Sequence, residues 1–71
     1  ILVSAGFDAH EADPLGGLRL LEVDFGDATK RLMEIADKCC GGRLVSLLEG
    51  GYDRAALSRC VDAHVLALMG A

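Results

Sequence analysis

One loop of this 71-residue sequence has the highest density of side chains that could bind a metal. It extends from Phe7 to Gly17, and its candidate ligands are Asp8, His10, Glu11 and Asp13. Carboxylate oxygens and imidazole nitrogens are both good ligands for zinc. A polar surface loop whose acids cap turns would have the same composition. The residues alone therefore leave two interpretations open, a contribution to a zinc site or a solvated loop.

Asp13 differs from the other acids because it precedes Pro14. A proline ring disfavours helical conformations of the residue before it, so we expect Asp13 to be extended and able to direct its carboxylate inward. Zinc needs three or four converging ligands. A zinc ion bound by Asp13 would therefore require ligands from outside these 71 residues.

Tyr52 is the only tyrosine in the chain, and it directly follows Gly50 and Gly51. Glycines allow positive φ angles and let a substrate approach the backbone closely. A phenol in such a position can donate a hydrogen bond to a developing oxyanion, which is worth roughly a hundredfold or more in rate. The alternative is an amphipathic side chain at the end of a strand, with no catalytic role.

The elements that must position these residues follow from the apolar pattern. Continuous apolar runs at residues 1–5 and 43–48 predict strands that are covered on both faces. Residues 22–40 between them predict an amphipathic helix, which Gly41 and Gly42 would end. Asp53 can cap a second helix. The apolar stripe of the first helix is Phe25, Ala28, Leu32, Ile35, Ala36 and Cys39, and that of the second is Leu57, Cys60, Val61, His64, Val65 and Leu68.

The predicted order is therefore β-α-β-α, an α/β arrangement. A strand, a crossover helix and a second strand in one sheet form a right-handed unit with parallel strands. The carboxyl ends of both strands then share one edge, where ligands bind in open α/β sheets. We expect Asp13 and Tyr52 to lie on this shared edge. His64 lies in an apolar stripe and is expected to be a packed histidine rather than a general base.

Composition narrows the function classes. The net charge of −4 opposes direct nucleic-acid binding, and no apolar run approaches the roughly 20 residues that span a bilayer. The apolar content of 52% and the start at Ile1 within an apolar run lead us to expect a piece of a longer protein. The three cysteines show no disulfide or zinc pattern, so we expect small buried side chains and a reducing, cytoplasmic location.

Two segments resemble a known family. SAGFDAHEADPLGG (residues 4–17) and LEGGYD (residues 48–53) are similar to the last two signature segments of the histone deacetylase superfamily, which includes acetylpolyamine amidohydrolases and acetoin-utilisation proteins. The FDAH and LEGGY sequences within them resemble the class II and bacterial branch of this superfamily more than class I. The resemblance covers essentially the whole chain. It implies a β-α-β-α fragment of the arginase/deacetylase parallel-sheet fold, with residues 1–71 as the C-terminal part of a single catalytic domain.

The resemblance also implies a role for individual residues. Asp13 would be the third protein ligand of a catalytic zinc, and Tyr52 would hydrogen-bond the scissile carbonyl. Gly50 and Gly51 would line the substrate tunnel with backbone, and Leu20 would lie on the tunnel wall. Asp8 and His10 match the motif without being metal ligands in this assignment, so they would shape the loop. Leu21 replaces the Thr or Ser that members often have at the helix start, and Asp24 is expected to compensate.

The implied function is a zinc-dependent amidohydrolase that removes acetyl groups from lysine or polyamines. The remaining zinc ligands and the histidine base would come from the rest of the catalytic domain, so the isolated chain is expected to be inactive. The alternative is a binding or scaffold module that keeps the fold without catalysis. A nucleotide-binding unit is excluded because the sequence has neither a GxGxxG motif nor a P-loop lysine.

Overall fold

The computed structural model describes residues 1–70 and has the predicted element order. Strand β1 is Leu2–Ala5, helix α1 is Glu22–Cys39, strand β2 is Val45–Leu48 and helix α2 is Arg54–Leu68. Each strand begins one or two residues later than its apolar run, and α1 ends one residue earlier than predicted. The α/β class and the β-α-β-α order are confirmed.

The two strands pair in parallel, with Leu2 opposite Val45 and Ala5 opposite Leu48. Helix α1 makes the crossover between them. Both strands therefore end at the same edge, and the segments that follow them lie side by side. The predicted edge is confirmed.

Phe7 occupies the centre of the small core and is only 4% exposed. Its ring meets the ring of Phe25 in α1 edge to face, with centroids 5.1 Å apart, and the His64 ring of α2 at 5.7 Å. Such aromatic pairs add stabilisation beyond the apolar area that they bury. The cluster is completed by Val3, Ala5, Leu57, Cys60 and Val61. It joins β1, its following loop and both helices.

The helix ends follow the predicted chemistry. Asp53 caps α2, because its Oδ1 accepts a hydrogen bond from the Ala56 amide at 2.9 Å. Leu21 has no side-chain acceptor at the start of α1, and Asp24 instead accepts the Leu21 amide at 2.8 Å. After α1, Gly41 and Gly42 take positive φ angles of 62° and 78°. These features confirm the Asp53 cap and the glycine stop, whereas Asp24 satisfies only the Leu21 amide and the start of α1 has no side-chain cap.

The apolar stripes are only partly buried within the described residues. In α1, Ala28, Ile35 and Cys39 are exposed, whereas Thr29 is buried. In α2, Val65 is 43% exposed. The expectation of three buried cysteines is therefore wrong for Cys39; Cys60 alone is fully buried. Two strands form a surface too narrow to cover the full width of either stripe.

The opposite face of the sheet carries exposed apolar side chains. The exposed fractions are 82% for Leu2, 54% for Val45 and 61% for Leu47. Strands covered on both faces were predicted, and among residues 1–70 the helices cover only one face. Continuous apolar strands are typical of sheets that are covered on both sides.

His64 links both helices to β2. Its Nδ1 lies 2.7 Å from Thr29 Oγ1, and its Nε2 lies 2.8 Å from Ser46 Oγ. The Thr29 hydroxyl lies 2.7 Å from the Phe25 carbonyl and donates its proton there, so Nδ1 donates to Thr29 and Nε2 accepts from Ser46. Both nitrogens of a neutral ring are thereby used. His64 is the packed histidine that was predicted.

Burial lowers the pKa of His64 below its ordinary 6.5, and stability should depend on pH accordingly. The unfolded chain binds a proton near pH 6.5 whereas the folded chain resists it, so the stabilisation is complete above that pH. It is lost as the pH falls from 6.5 towards the folded pKa. Thermal unfolding of the protein from about pH 8 to about pH 5 should show a falling midpoint. His64→Gln should flatten this fall; an unchanged slope would contradict the assignment.

Candidate catalytic edge

The loop after β1 and the segment after β2 are bonded to each other at the carboxyl edge of the sheet. The Phe7 amide donates to the Gly50 carbonyl at 2.8 Å. The Tyr52 amide donates to Asp13 Oδ2 at 2.7 Å. The two motif segments therefore form one unit, and the prediction that Asp13 and Tyr52 lie on one edge is confirmed.

Asp13 is 7% exposed, and its carboxylate accepts three backbone hydrogen bonds. Oδ1 receives the amides of Leu15 and Gly16 at 2.8 and 3.0 Å, and Oδ2 receives that of Tyr52. Burial raises its pKa, but the three amides together outweigh burial and hold the pKa below its ordinary value. A carboxylate has about four acceptor sites. Asp13 is thus an ionised acceptor with about one site left.

Asp8 has the opposite character, because its carboxylate is exposed and accepts no hydrogen bond from residues 1–70. It lies directly over the glycine backbone of the edge. A Cβ added to Gly50 would approach three Asp8 carboxyl atoms to 3.1–3.3 Å, and one added to Gly6 would approach Oδ1 to 3.1 Å. The loop-shaping role expected for Asp8 therefore has no side-chain hydrogen bond to support it. Asp8 lies three residues after the end of β1, at the carboxyl edge of the sheet. This position is the sequence signal that could have marked its carboxylate as a candidate ligand.

Gly16 closes the loop by backbone contact. A Cβ at this position would lie 1.7 Å from the Asp8 carbonyl oxygen, a distance that no side chain can accommodate. The backbone of Gly16 thus rests on that of Asp8, while its amide is bound by Asp13. One glycine therefore connects the two aspartates of the motif.

The backbone of Gly50 and Gly51 is packed against neighbouring atoms and is not open to solvent on their Cα faces. Gly51 has a φ of 137°, and a Cβ there would lie 2.8 Å from Leu57 Cδ1 and 3.4 Å from Phe7 Cβ. Gly50 faces Asp8. The Tyr52 side chain that follows is 57% exposed. The expected substrate contacts of Gly50 and Gly51 remain predictions.

Leu20 belongs to the return path of the loop. Its amide donates to the Ala9 carbonyl at 3.0 Å, and its carbonyl accepts the Glu11 amide at 2.9 Å. The side chain is 41% exposed. Its expected place on a tunnel wall remains a prediction.

A polar cluster that the sequence analysis missed holds this loop against both helices. His10 is 2% exposed, and its Nδ1 accepts the Ala12 amide at 3.0 Å, so Nε2 carries the proton. Nε2 lies 3.2 Å from Glu22 Oε1 without the alignment of a hydrogen bond, and Arg59 donates to the same oxygen. The pKa of Glu22 is lowered to about 2, and the hydrogen bond from Arg59 is the main cause. The charged cluster joins the loop, α1 and α2.

The metal-binding capacity of the edge is limited. Within residues 1–70, no three His, Cys, Asp or Glu side chains are grouped as a metal site requires. The edge by itself is therefore not a complete zinc site. None of the described helices is both long enough and apolar enough to cross a membrane.

Comparisons with known proteins agree with the motifs. The family profile described as "Histone deacetylase domain" matches residues 1–68. Type-2 histone deacetylase 1 of Dictyostelium discoideum is 53% identical over 68 residues, which cover 96% of this chain and 5% of that protein. Histone deacetylase 10, chloroplastic, of Oryza sativa subsp. japonica is 47% identical over 70 residues, covering 99% of this chain and 16% of the relative.

Solved structures show the same fold. The HDA15 HD domain superposes with a TM-score of 0.86 at 35% identity, covering 97% of this chain and 18% of that one. The histone deacetylase Clr3 superposes with a TM-score of 0.87 at 35% identity, covering 97% and 11%. The chain thus spans less than a fifth of each of these relatives and structures, and it has the deacetylase-type α/β fold that was predicted. By its sequence and its fold, this chain belongs to the histone deacetylase family.

Proposed function

We propose that the protein containing this chain is a zinc-dependent deacetylase that hydrolyses the acetyl amide of acetyl-lysine or of acetylated polyamines. One observation carries the proposal: the exposed Tyr52 side chain and the free Asp8 carboxylate belong to two loops that are bonded together at the carboxyl edge of the sheet. Preorganised donors beside a metal ligand are what amide hydrolysis requires. The family membership supports the same chemistry.

The zinc ligand at this edge was predicted to be Asp13, and the hydrogen bonds favour Asp8 instead. Three amides already engage the Asp13 carboxylate, whereas Asp8 is an exposed residue whose carboxylate accepts no hydrogen bond from residues 1–70. A carboxylate oxygen is a good zinc ligand. We therefore assign Asp8 as the ligand from this chain, with the others supplied by the rest of the catalytic domain. When bound, zinc acts as a Lewis acid towards the amide carbonyl and lowers the pKa of water.

Tyr52 would donate its phenolic proton in a hydrogen bond to the carbonyl oxygen of the substrate as negative charge develops there. The hydroxyl is effective only if it is already in position, because reorganisation during the reaction costs rate. The backbone amide of Tyr52 donates to Asp13, and the next residue, Asp53, caps α2. Gly50, Gly51 and Leu20 would line the approach of the acyl chain.

A general base is not supplied by the two histidines of this chain. His64 has both ring nitrogens within hydrogen-bond distance of hydroxyl groups in the core, and His10 is buried against Glu22. The base that activates water would therefore come from elsewhere in the domain. We expect residues 1–71 alone to be inactive. The free cysteines, unpaired among residues 1–70, are consistent with the reducing, cytoplasmic location that we propose.

The experiment uses the full-length protein with an acetyl-lysine peptide and an acetylated polyamine as separate substrates. We expect turnover of at least one of them, loss of turnover after removal of metal by a chelator, and recovery on addition of zinc. Release of acetate is measured directly. No turnover of either substrate by zinc-loaded protein would favour the alternative, a scaffold module that keeps the fold without catalysis.

A further inference from the structure

We propose that Asp13 is a positioning residue, which holds the backbone of Tyr52 in place for the reaction and does not bind the metal. This inference rests on the proposed function. It concerns the bond between Asp13 Oδ2 and the Tyr52 amide, which joins residues 39 positions apart. At 2.7 Å, it is a short hydrogen bond to an ionised acceptor, which is a strong type of bond.

The surroundings of Asp13 suit an ionised carboxylate that only accepts hydrogen bonds. Three backbone amides converge on its carboxylate, and the side chain is 7% exposed, so few water molecules can compete. An ionised carboxylate can accept all three hydrogen bonds. An asparagine has the same shape, but its amide nitrogen is a donor and would face either the Tyr52 amide or both the Leu15 and Gly16 amides. The site therefore requires aspartate for its charge and its acceptors, without any metal.

The backbone of Tyr52 is held by this bond on one side and by the Asp53 cap of α2 on the other. Its side chain is 57% exposed, and it follows two glycines, of which Gly51 has a φ of 137°. Glycine has the widest conformational freedom, so a tyrosine that follows two glycines depends on specific contacts to hold its backbone. The Asp13 bond restrains the first residue after this pair. Misplacement of a catalytic group by about 1 Å can cost about a hundredfold in rate, so the bond has a direct consequence for turnover.

The test is a double-mutant cycle in the full-length protein with Asp13→Asn, Tyr52→Phe and the double variant. We expect Asp13→Asn to lower kcat by roughly tenfold or more, to change KM less and to leave the zinc content unchanged. In the Tyr52→Phe background it should have little further effect, because the hydroxyl through which it acts is gone. Asp27→Asn, an exposed isosteric change in α1, is the matched control and should be neutral.

Two outcomes of the cycle would overturn the inference: loss of zinc from Asp13→Asn, or the same fold-loss of kcat in both backgrounds. Amide hydrogen exchange at Tyr52 in the unmodified protein is a second measurement that needs no variant. We expect slow exchange, and exchange as fast as that of an exposed loop amide would also overturn the inference. By contrast, near-normal turnover of the Tyr52→Phe single variant would refute the proposed role of Tyr52 itself.

Discussion

Replacement of Asp8 by alanine in the full-length protein is expected to remove most of the bound zinc and nearly all deacetylase turnover. The substitution deletes a carboxylate that accepts no hydrogen bond from residues 1–70, so the fold should lose little. A zinc site that lacks one of its few protein ligands is incomplete. We expect metal content and turnover to fall together, as measured by metal analysis and by acetate release on the same sample.

Glu11→Ala is the matched control for Asp8→Ala. Glu11 is an exposed acid of the same loop, and its backbone rather than its side chain bonds to Leu20. We expect full zinc content and near-normal turnover. If Asp8→Ala retained its zinc while Asp13→Ala lost it, the ligand would be Asp13, as the motif first suggested, and our reassignment would be wrong.

Tyr52→Phe in the full-length protein should lower turnover by roughly a hundredfold or more, the usual effect of losing one oxyanion donor. Only a hydroxyl is removed, from a side chain that is 57% exposed. The backbone amide that binds Asp13 remains. We therefore expect the zinc content and the thermal unfolding midpoint to stay near those of the unmodified protein.

The kinetic pattern separates the catalytic role of Tyr52 from a role in binding. An interaction made mainly in the transition state affects kcat and kcat/KM equally, whereas uniform binding affects KM alone. We expect the first pattern for Tyr52→Phe. A raised KM with unchanged kcat would make Tyr52 part of the substrate tunnel and leave the oxyanion without a donor from this chain.

The fold and the place of the site could be predicted because both depend on local patterns. Continuous apolar runs separated by an amphipathic segment allow one parallel βαβ arrangement, and its geometry brings the residues after both strands to one edge. The stops at Gly41 and Gly42 and the Asp53 cap depend on neighbouring residues only. These features were therefore accessible from composition and spacing.

The different roles that we propose for Asp8, as a metal ligand, and for Asp13, as a positioning residue, could not be predicted in this way. They depend on which carboxylate meets backbone amides, and one of those amides belongs to Tyr52, far along the chain from Asp13. The cluster of His10, Glu22 and Arg59 was missed for the same reason, since each comes from a different element. Spacing in sequence reports nothing about such long-range bonds.

The exposed face of the sheet has a consequence for how this segment behaves during synthesis. Within residues 1–70, β1 and β2 each pair on one side only, and Leu2 and Leu47 are open to solvent. Unpaired strand edges with apolar side chains are templates for pairing with other chains, which leads to aggregation. We therefore expect these elements to be prone to aggregation during synthesis until other polypeptide covers the apolar face and the free strand edges.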